Sequence, residues 1–228
     1  MELMSKEDTV QRGKMTDFFE IRDDFTSRHV RRTKEYLKVL MEQLIKDGIY
    51  TDEVLEWDIN ETLLSSQLHD VGKYAISDTI LNKPGKYTPE EFDIMKTHVQ
   101  KGMETIDKME QSSDFANFMK HARLFAGAHH EKWNGSGYPQ GLSGEDIPLE
   151  GRILAIVDVY DALISERPYK KALTHDETAQ IIIDGAGTHF DPVLVATFEK
   201  LKDTFAGIAI EYAGVLYQNL VGSVTYSS

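Results

Sequence analysis

The sequence contains no cysteine in its 228 residues. Disulfides, zinc–thiolate sites and cysteine nucleophiles are therefore excluded. Any metal must be held by histidine, aspartate or glutamate, a donor set that suits iron, manganese, zinc or magnesium. No apolar run approaches the ~20 residues needed to span a bilayer, so membrane insertion is not expected. The opening stretch MELMSKEDTVQRGKM lacks the apolar core of a signal peptide, and the expected location is the cytoplasm. Basic charge is scarce: 25 Lys and Arg stand against 38 Asp and Glu, for a net charge of -13. Indiscriminate binding to DNA or RNA polymers or to acidic membranes needs a basic surface and is not expected. A small phosphate ester remains admissible, because bound metal ions are concentrated cations even inside an acidic protein. Repeats and low-complexity tracts are absent as well.

What is present is ordinary for a globular chain, 41% hydrophobic and 28% charged. The length suits one domain with a substantial core, or one domain plus a short extension. Residues 1–20 are polar and mixed in charge, a linker or a first helix. Val30, Leu37, Leu40 and Leu44 fall at helical spacing between Arg28 and Ile45, and a second helix is expected from Ile59 into His69. Thr88-Pro89-Glu90-Glu91 carries a cap, a first-turn proline and the glutamate of a capping box. The helix that follows is expected to bury Phe92, Met95, Val99, Met103 and Ile106. A further helix puts Phe115, Phe118, Met119, Ala122 and Ala126 on one face. Five glycines and two prolines between 133 and 151 predict a long loop. Arg152 to Leu163 is apolar nearly all round, a buried strand or helix, with its length favouring helix. Thr174 with Glu177 forms a second capping box, and Asp191-Pro192 opens a last helix. The tail after Phe205 fits either helix or strand. The chain reads as all-α.

Eight histidines are present, and their placement is informative. His69 and Asp70 are adjacent and lead into Val71-Gly72-Lys73. His129 and His130 are adjacent at the end of a helix, with His129 on the face of Phe115, Phe118, Ala122 and Ala126. An unpaired polar group there would cost about 1–3 kcal/mol. His98 lies about 70° from the centre of its helix's apolar face at 100° per residue, where a side chain can reach a cleft. His29 sits on another amphipathic helix, and Asp158 interrupts the apolar stretch Ile153 to Tyr160. Taken singly, each is ordinarily a core histidine on a carbonyl or a carboxylate in an ion pair. Several on separate helices shift the balance toward a metal site, since bundles build such sites from facing helices. The sequence does not show that they converge. His121 and His175 lack such context and read as surface residues; His189, before Phe190-Asp191-Pro192, reads as structural.

The set resembles the HD-GYP family of the HD phosphohydrolase superfamily. His69-Asp70-Val71-Gly72-Lys73 resembles its HDxGK signature, and His129-His130-Glu131 with Gly135-Ser136-Gly137-Tyr138-Pro139 resembles HHE…GxGYP. Ile80 to Gly85, Met95 to His98, Ile147 to Leu149, Asp158 to Ala162, Arg167 to Lys170 and His189 to Pro192 follow in the family's order, so the resemblance covers about residues 21–200. It implies an all-α HD-domain helical bundle with additional C-terminal helices. The catalytic domain would span 21–205, with 206–228 as an extension.

The resemblance also implies the site. Metal ligands fall on His29, His69, Asp70, His98, His129, His130 and Asp158, and phosphate-contacting cations on Lys73, Arg167 and Lys170. The implied activity is hydrolysis of cyclic di-GMP to linear pGpG or GMP through a hydroxide bridging two divalent ions, iron or manganese, with Asp70 and Lys73 catalytic. Hydrolysis of another cyclic dinucleotide such as cyclic GMP-AMP, or a non-catalytic nucleotide- or partner-binding module, are the alternatives. Implied partners are diguanylate cyclase (GGDEF-type) domains at the Gly-rich loop Trp133–Gly144 and a second copy in a homodimer. Three-metal members carry a glutamate four residues before the first histidine ligand; here Phe25 stands there beside Asp24. Two ions are therefore expected. Asn134 and Ser77 also depart from common family residues.

Overall fold

The computed structural model describes residues 24–110, 115–166 and 171–221, with side chains described between 29 and 212 of these. Nine α-helices and three short 3-10 turns make up the described residues, with no strand beyond isolated bridges. The helices are α1 (Asp24–Asp47), α2 (Thr51–Val54), α3 (Ile59–Ser65), α4 (Asp78–Leu81), α5 (Pro89–Glu110), α6 (Ala116–Ala128), α7 (Leu149–Ile164), α8 (His175–Asp184) and α9 (Pro192–Val221). The expected all-α class holds. Phe25, Arg167 and Lys170 lie outside the described residues or side chains.

Local signals explain several boundaries. Thr88 and Glu91 close the capping box at the start of α5, each meeting the other's backbone N–H. Thr174 and Glu177 do the same for α8. Asp191 caps α9 by accepting from the Val193 and Leu194 amides. The Ile59–His69 helix is shorter than its pattern suggests: α3 ends at Ser65, and a 3-10 turn over Ser66–Leu68 leads to His69. The segment after Phe205 continues α9 to Val221.

Two apolar clusters organise the packing. The larger joins Tyr36, Leu37, Leu40 and Leu44 of α1 to Ile153, Ile156, Val157 and Tyr160 of α7 and to Leu194, Phe198 and Phe205 of α9. Tyr36 stacks on Phe205 at 4.7 Å, and Tyr160 meets both edge-on. Fully burying each such ring contributes about 1.5–3 kcal/mol. The smaller cluster joins Leu68 and Val71 to Ile106 of α5 and Phe118, Met119, Ala122 and Ala126 of α6. Helix α7 packs on both α1 and α6, so it links the two halves.

Three expectations about burial fail. Phe92 was expected inside, but is 44% exposed; the buried face of α5 runs through Met95, His98, Val99, Gly102, Met103 and Ile106. His121 was expected at the surface, but is buried, its Nδ1 2.8 Å from the Glu150 carboxylate of α7. That partner cannot be read from the helix that carries His121. His175, also expected at the surface, is half-buried, with Nδ1 2.9 Å from the Tyr160 hydroxyl.

Candidate metal centre

The seven side chains expected as ligands come from five places in the chain and meet in one pocket. His29 lies on α1, His98 in the middle of α5 and Asp158 on α7. His69 and Asp70 sit in the 3-10 region after α3; His129 ends α6 and His130 follows it. They form two groups. Asp70, His98, His129 and His130 offer donor atoms within 4.8 Å of one another, and so do His29, His69 and Asp158. Asp70 stands between the groups: its Oδ2 is 3.4 Å from His69 Nε2, and its Oδ1 is 3.4 Å from His98 Nε2 and 3.7 Å from His129 Nε2. His29 Nε2 lies 3.4 Å from Asp158 Oδ1.

Close backbone approach makes this possible. A Cβ at Gly72 would fall 1.9 Å from the His98 carbonyl oxygen and 2.4 Å from the Gly102 nitrogen. Only glycine lets the turn bearing His69 and Asp70 lie directly on α5 beside His98. At Gly137 a Cβ would meet the Lys132 nitrogen at 2.4 Å and the His130 carbonyl oxygen at 2.6 Å. The Gly-rich loop can thus fold back over the two adjacent histidines. Glu131 fastens it there by accepting from the amides of Gln140, Gly141 and Leu142. Tyr138, joined to Pro139 by a cis peptide, stacks on His130 at 4.7 Å.

The histidines are pre-oriented. The Nδ1 of His69 bonds the Ser66 carbonyl at 2.8 Å, that of His98 the Met95 carbonyl at 2.7 Å, and that of His129 the Phe125 carbonyl at 3.0 Å. His29 Nδ1 bonds Asp161 Oδ2 at 2.7 Å. With Nδ1–H donated outward, each Nε2 lone pair points into the pocket, the arrangement in which metal-binding histidines are commonly held. His69 Nε2, His98 Nε2, His129 Nε2 and Asp70 Oδ1 are buried and lack a hydrogen-bond partner. Buried polar atoms are seldom left so, and four together in one pocket fit divalent cations.

Electrostatics keep Asp70, His98, His129 and His130 in their ligating forms. Burial, reinforced by His69 and other neighbours, takes the His129 pKa down to about 3. Burial, with His129 and His98 adding to it, holds His130 well below the usual histidine range, and burial lowers His98 as well. Burial alone would raise Asp70, but Lys73 and His69 outweigh it and hold the carboxylate ionised. His69 goes the other way: burial opposes its charge, yet the Asp70 and Asp158 carboxylates raise it. The Lys73 ammonium contacts Asp70 Oδ2, with a side chain 39% exposed at the edge of the pocket.

Asp161, one turn beyond Asp158 and fully buried, was given no role by the sequence reading. Arg32 grips it through Nε at 2.6 Å and Nη2 at 2.9 Å, and Nη2 also reaches the Ser165 hydroxyl. Burial would raise the Asp161 pKa, but His29 and Arg32 lower it. Asp161 is thus an ionised buried acceptor that sets the His29 ring.

A family model for the HD domain matches residues 15–194. The chain belongs to this family, in its HD-GYP branch. It is 45% identical over 193 residues to a cyclic di-GMP phosphodiesterase of Vibrio cholerae, covering 85% of this chain and 39% of that protein. It is 40% identical over 189 residues to 3'3'-cGAMP-specific phosphodiesterase 2 of the same organism, covering 83% of this chain and 34% of that one. The chain therefore spans well under half of these curated relatives. A solved HDG"Y"P protein from Bdellovibrio bacteriovorus shares the fold, with a TM-score of 0.56 at 20% identity over 88% of this chain and 63% of that one.

Proposed function

We propose that the chain is a metal-dependent phosphodiesterase for cyclic dinucleotides, with cyclic di-GMP as its first substrate. The observation that carries this is the pocket in which Asp70 faces two groups of His and Asp donors, with four buried donor atoms unpaired. His29, His69 and Asp158 would hold one ion, His98, His129 and His130 a second, with Asp70 shared; iron and manganese suit this oxygen and imidazole set. When bound, the ions supply a water nucleophile at neutral pH and neutralise charge on the phosphoryl oxygens.

The chain's own residues do the rest. The Nδ1 bonds of His29, His69, His98 and His129 fix their rings before substrate arrives, so no reorganisation is needed during the reaction. Asp70 ties the two groups to one carboxylate. Lys73, at the pocket edge, donates to a non-bridging phosphate oxygen, and the resemblance adds Arg167 and Lys170, which lie outside the described residues, as further phosphate contacts. Tyr138 and the loop fastened by Glu131 wall the pocket beside His130. Linear pGpG is the expected product.

A second substrate, 3'3'-cGAMP, is favoured by the 40% identity to a relative named for it. Purified protein loaded with Mn²⁺ or Fe²⁺ and given each cyclic dinucleotide separates the readings. Cyclic di-GMP turned over fastest supports the proposal. Faster turnover of 3'3'-cGAMP exchanges the substrate, and binding without turnover of either leaves a signalling module.

A further inference from the structure

Helix α5 carries an aromatic ring that the core does not use. Phe92 is 44% exposed, although it lies six residues before the buried His98 on the same helix. It is nonetheless part of a continuous aromatic path out of the pocket. His130 stacks on Tyr138 at 4.7 Å and 29°, and Tyr138 meets Phe92 edge-on at 6.2 Å and 85°. Tyr138 lies close enough to the metal pocket for Asp70 and Asp158, after burial, to raise its phenol pKa. The Lys96 ammonium stands 5.3 Å from the Phe92 ring centroid while pairing with Asp93 at 2.6 Å. The ring is thus exposed, one residue removed from a donor histidine, and flanked by a cation.

We propose that Phe92 is a base-stacking residue, the surface on which one purine of a cyclic dinucleotide rests while its phosphate enters the pocket. The inference rests on the proposed function and adds a specificity element to it. A purine offers a flat π-face and acceptor atoms at its edge; the Phe92 ring supplies the face and Lys96 a cation beside it. Stacking of this kind is sequence-tolerant, so Phe92 tightens binding of purine-bearing cyclic dinucleotides without choosing guanine over adenine. Phe92 touches neither the donor histidines nor the core, so its loss acts on substrate affinity and leaves the pocket standing.

Steady-state kinetics on the Mn²⁺-loaded protein test this, with wild type, Phe92→Ala and Phe92→Trp compared on cyclic di-GMP and on methyl p-nitrophenyl phosphate, which has no purine. The stacking energies seen for bases on aromatic side chains correspond to about a five- to hundredfold rise in KM for Phe92→Ala on cyclic di-GMP. The rise should exceed any change on the small diester, and Phe92→Trp should restore KM. A 2-aminopurine-containing cyclic dinucleotide adds a spectroscopic readout: its fluorescence is quenched on binding wild type and less so at saturation with Phe92→Ala. An unchanged KM for cyclic di-GMP, or an equal loss on both substrates with lowered manganese content, overturns the proposal. Wild type that hydrolyses the small diester but no cyclic dinucleotide overturns the proposed function as well, an outcome distinct from the first two.

Discussion

At the scale of single residues, the donors were legible because histidine and aspartate are conspicuous on apolar helix faces, whereas their supports were not. Asp161 shares a face of α7 with Asp158 three positions earlier, and Arg32 shares a face of α1 with His29. That paired spacing was the available signal, but an acid near a helix end reads first as solvated. Removing Asp161 leaves Arg32 without its buried partner, so Asp161→Ala should cost about 3 kcal/mol in urea unfolding. It should also weaken manganese binding, read by calorimetry, because the His29 ring is released. A variant with wild-type stability and manganese affinity would remove Asp161 from the site's support. The two donor groups predict a second contrast. Asp70→Ala should lose both ions and all turnover, while His29→Ala should keep the ion of the other group; metal content by elemental analysis distinguishes them. If Asp70→Ala retains two ions, Asp70 is not shared. His189 gives a pH test away from the pocket. Burial, with Lys132 nearby, holds its pKa down to about 4, against about 6.5 when unfolded. The unfolded chain therefore binds the extra proton first, and His189 withdraws stability as pH falls from about 6.5 toward 4. The advantage of wild type over His189→Gln in urea midpoint should shrink across that window. A constant advantage would contradict the assignment.

At the scale of elements, capping boxes and periodicity placed α5, α6 and α8 well, and the apolar stretch on α7 is the helix its length suggested. The error at Phe92 has a plain cause. Residue periodicity marks a hydrophobic stripe, but the buried part of α5 begins only at Met95, and in its first turn Phe92 meets the loop residue Tyr138 in place of the core. The break after Ser65 has no mark in the sequence, because the hydrophobic pattern continues through Leu68 while the backbone tightens to a 3-10 turn. That turn's seat on α5 depends on Gly72. Gly72→Ala forces a Cβ into the His98 carbonyl, so it should destabilise by about 3 kcal/mol and reduce manganese affinity together. Gly207→Ala on α9 is the control: no atom lies within 4 Å of its added Cβ, and the helix should gain about 1 kcal/mol. Equal behaviour of the two variants in thermal unfolding and metal titration would mean that the turn does not need close approach.

At the scale of the whole molecule, composition limited the chemistry and packing determined the site. The lack of cysteine left only His, Asp and Glu as donors, and the net charge of -13 leaves bound cations as the principal means by which the pocket could hold an anion. Convergence of the donors was not legible from helix patterns, because it depends on α7 packing against both α1 and α6 and on the close approach of Gly72 to α5. The ordered motifs supplied it only by resemblance. Among the described residues no helix is long and apolar enough to cross a membrane. The most direct measurement of the account is cyclic di-GMP hydrolysis by chelator-stripped protein as Mn²⁺ is returned in steps, with bound metal counted in the same samples. Turnover absent in stripped protein and reaching its plateau at two ions per chain is the predicted result. Full turnover without metal, or a plateau at a single ion, would contradict it.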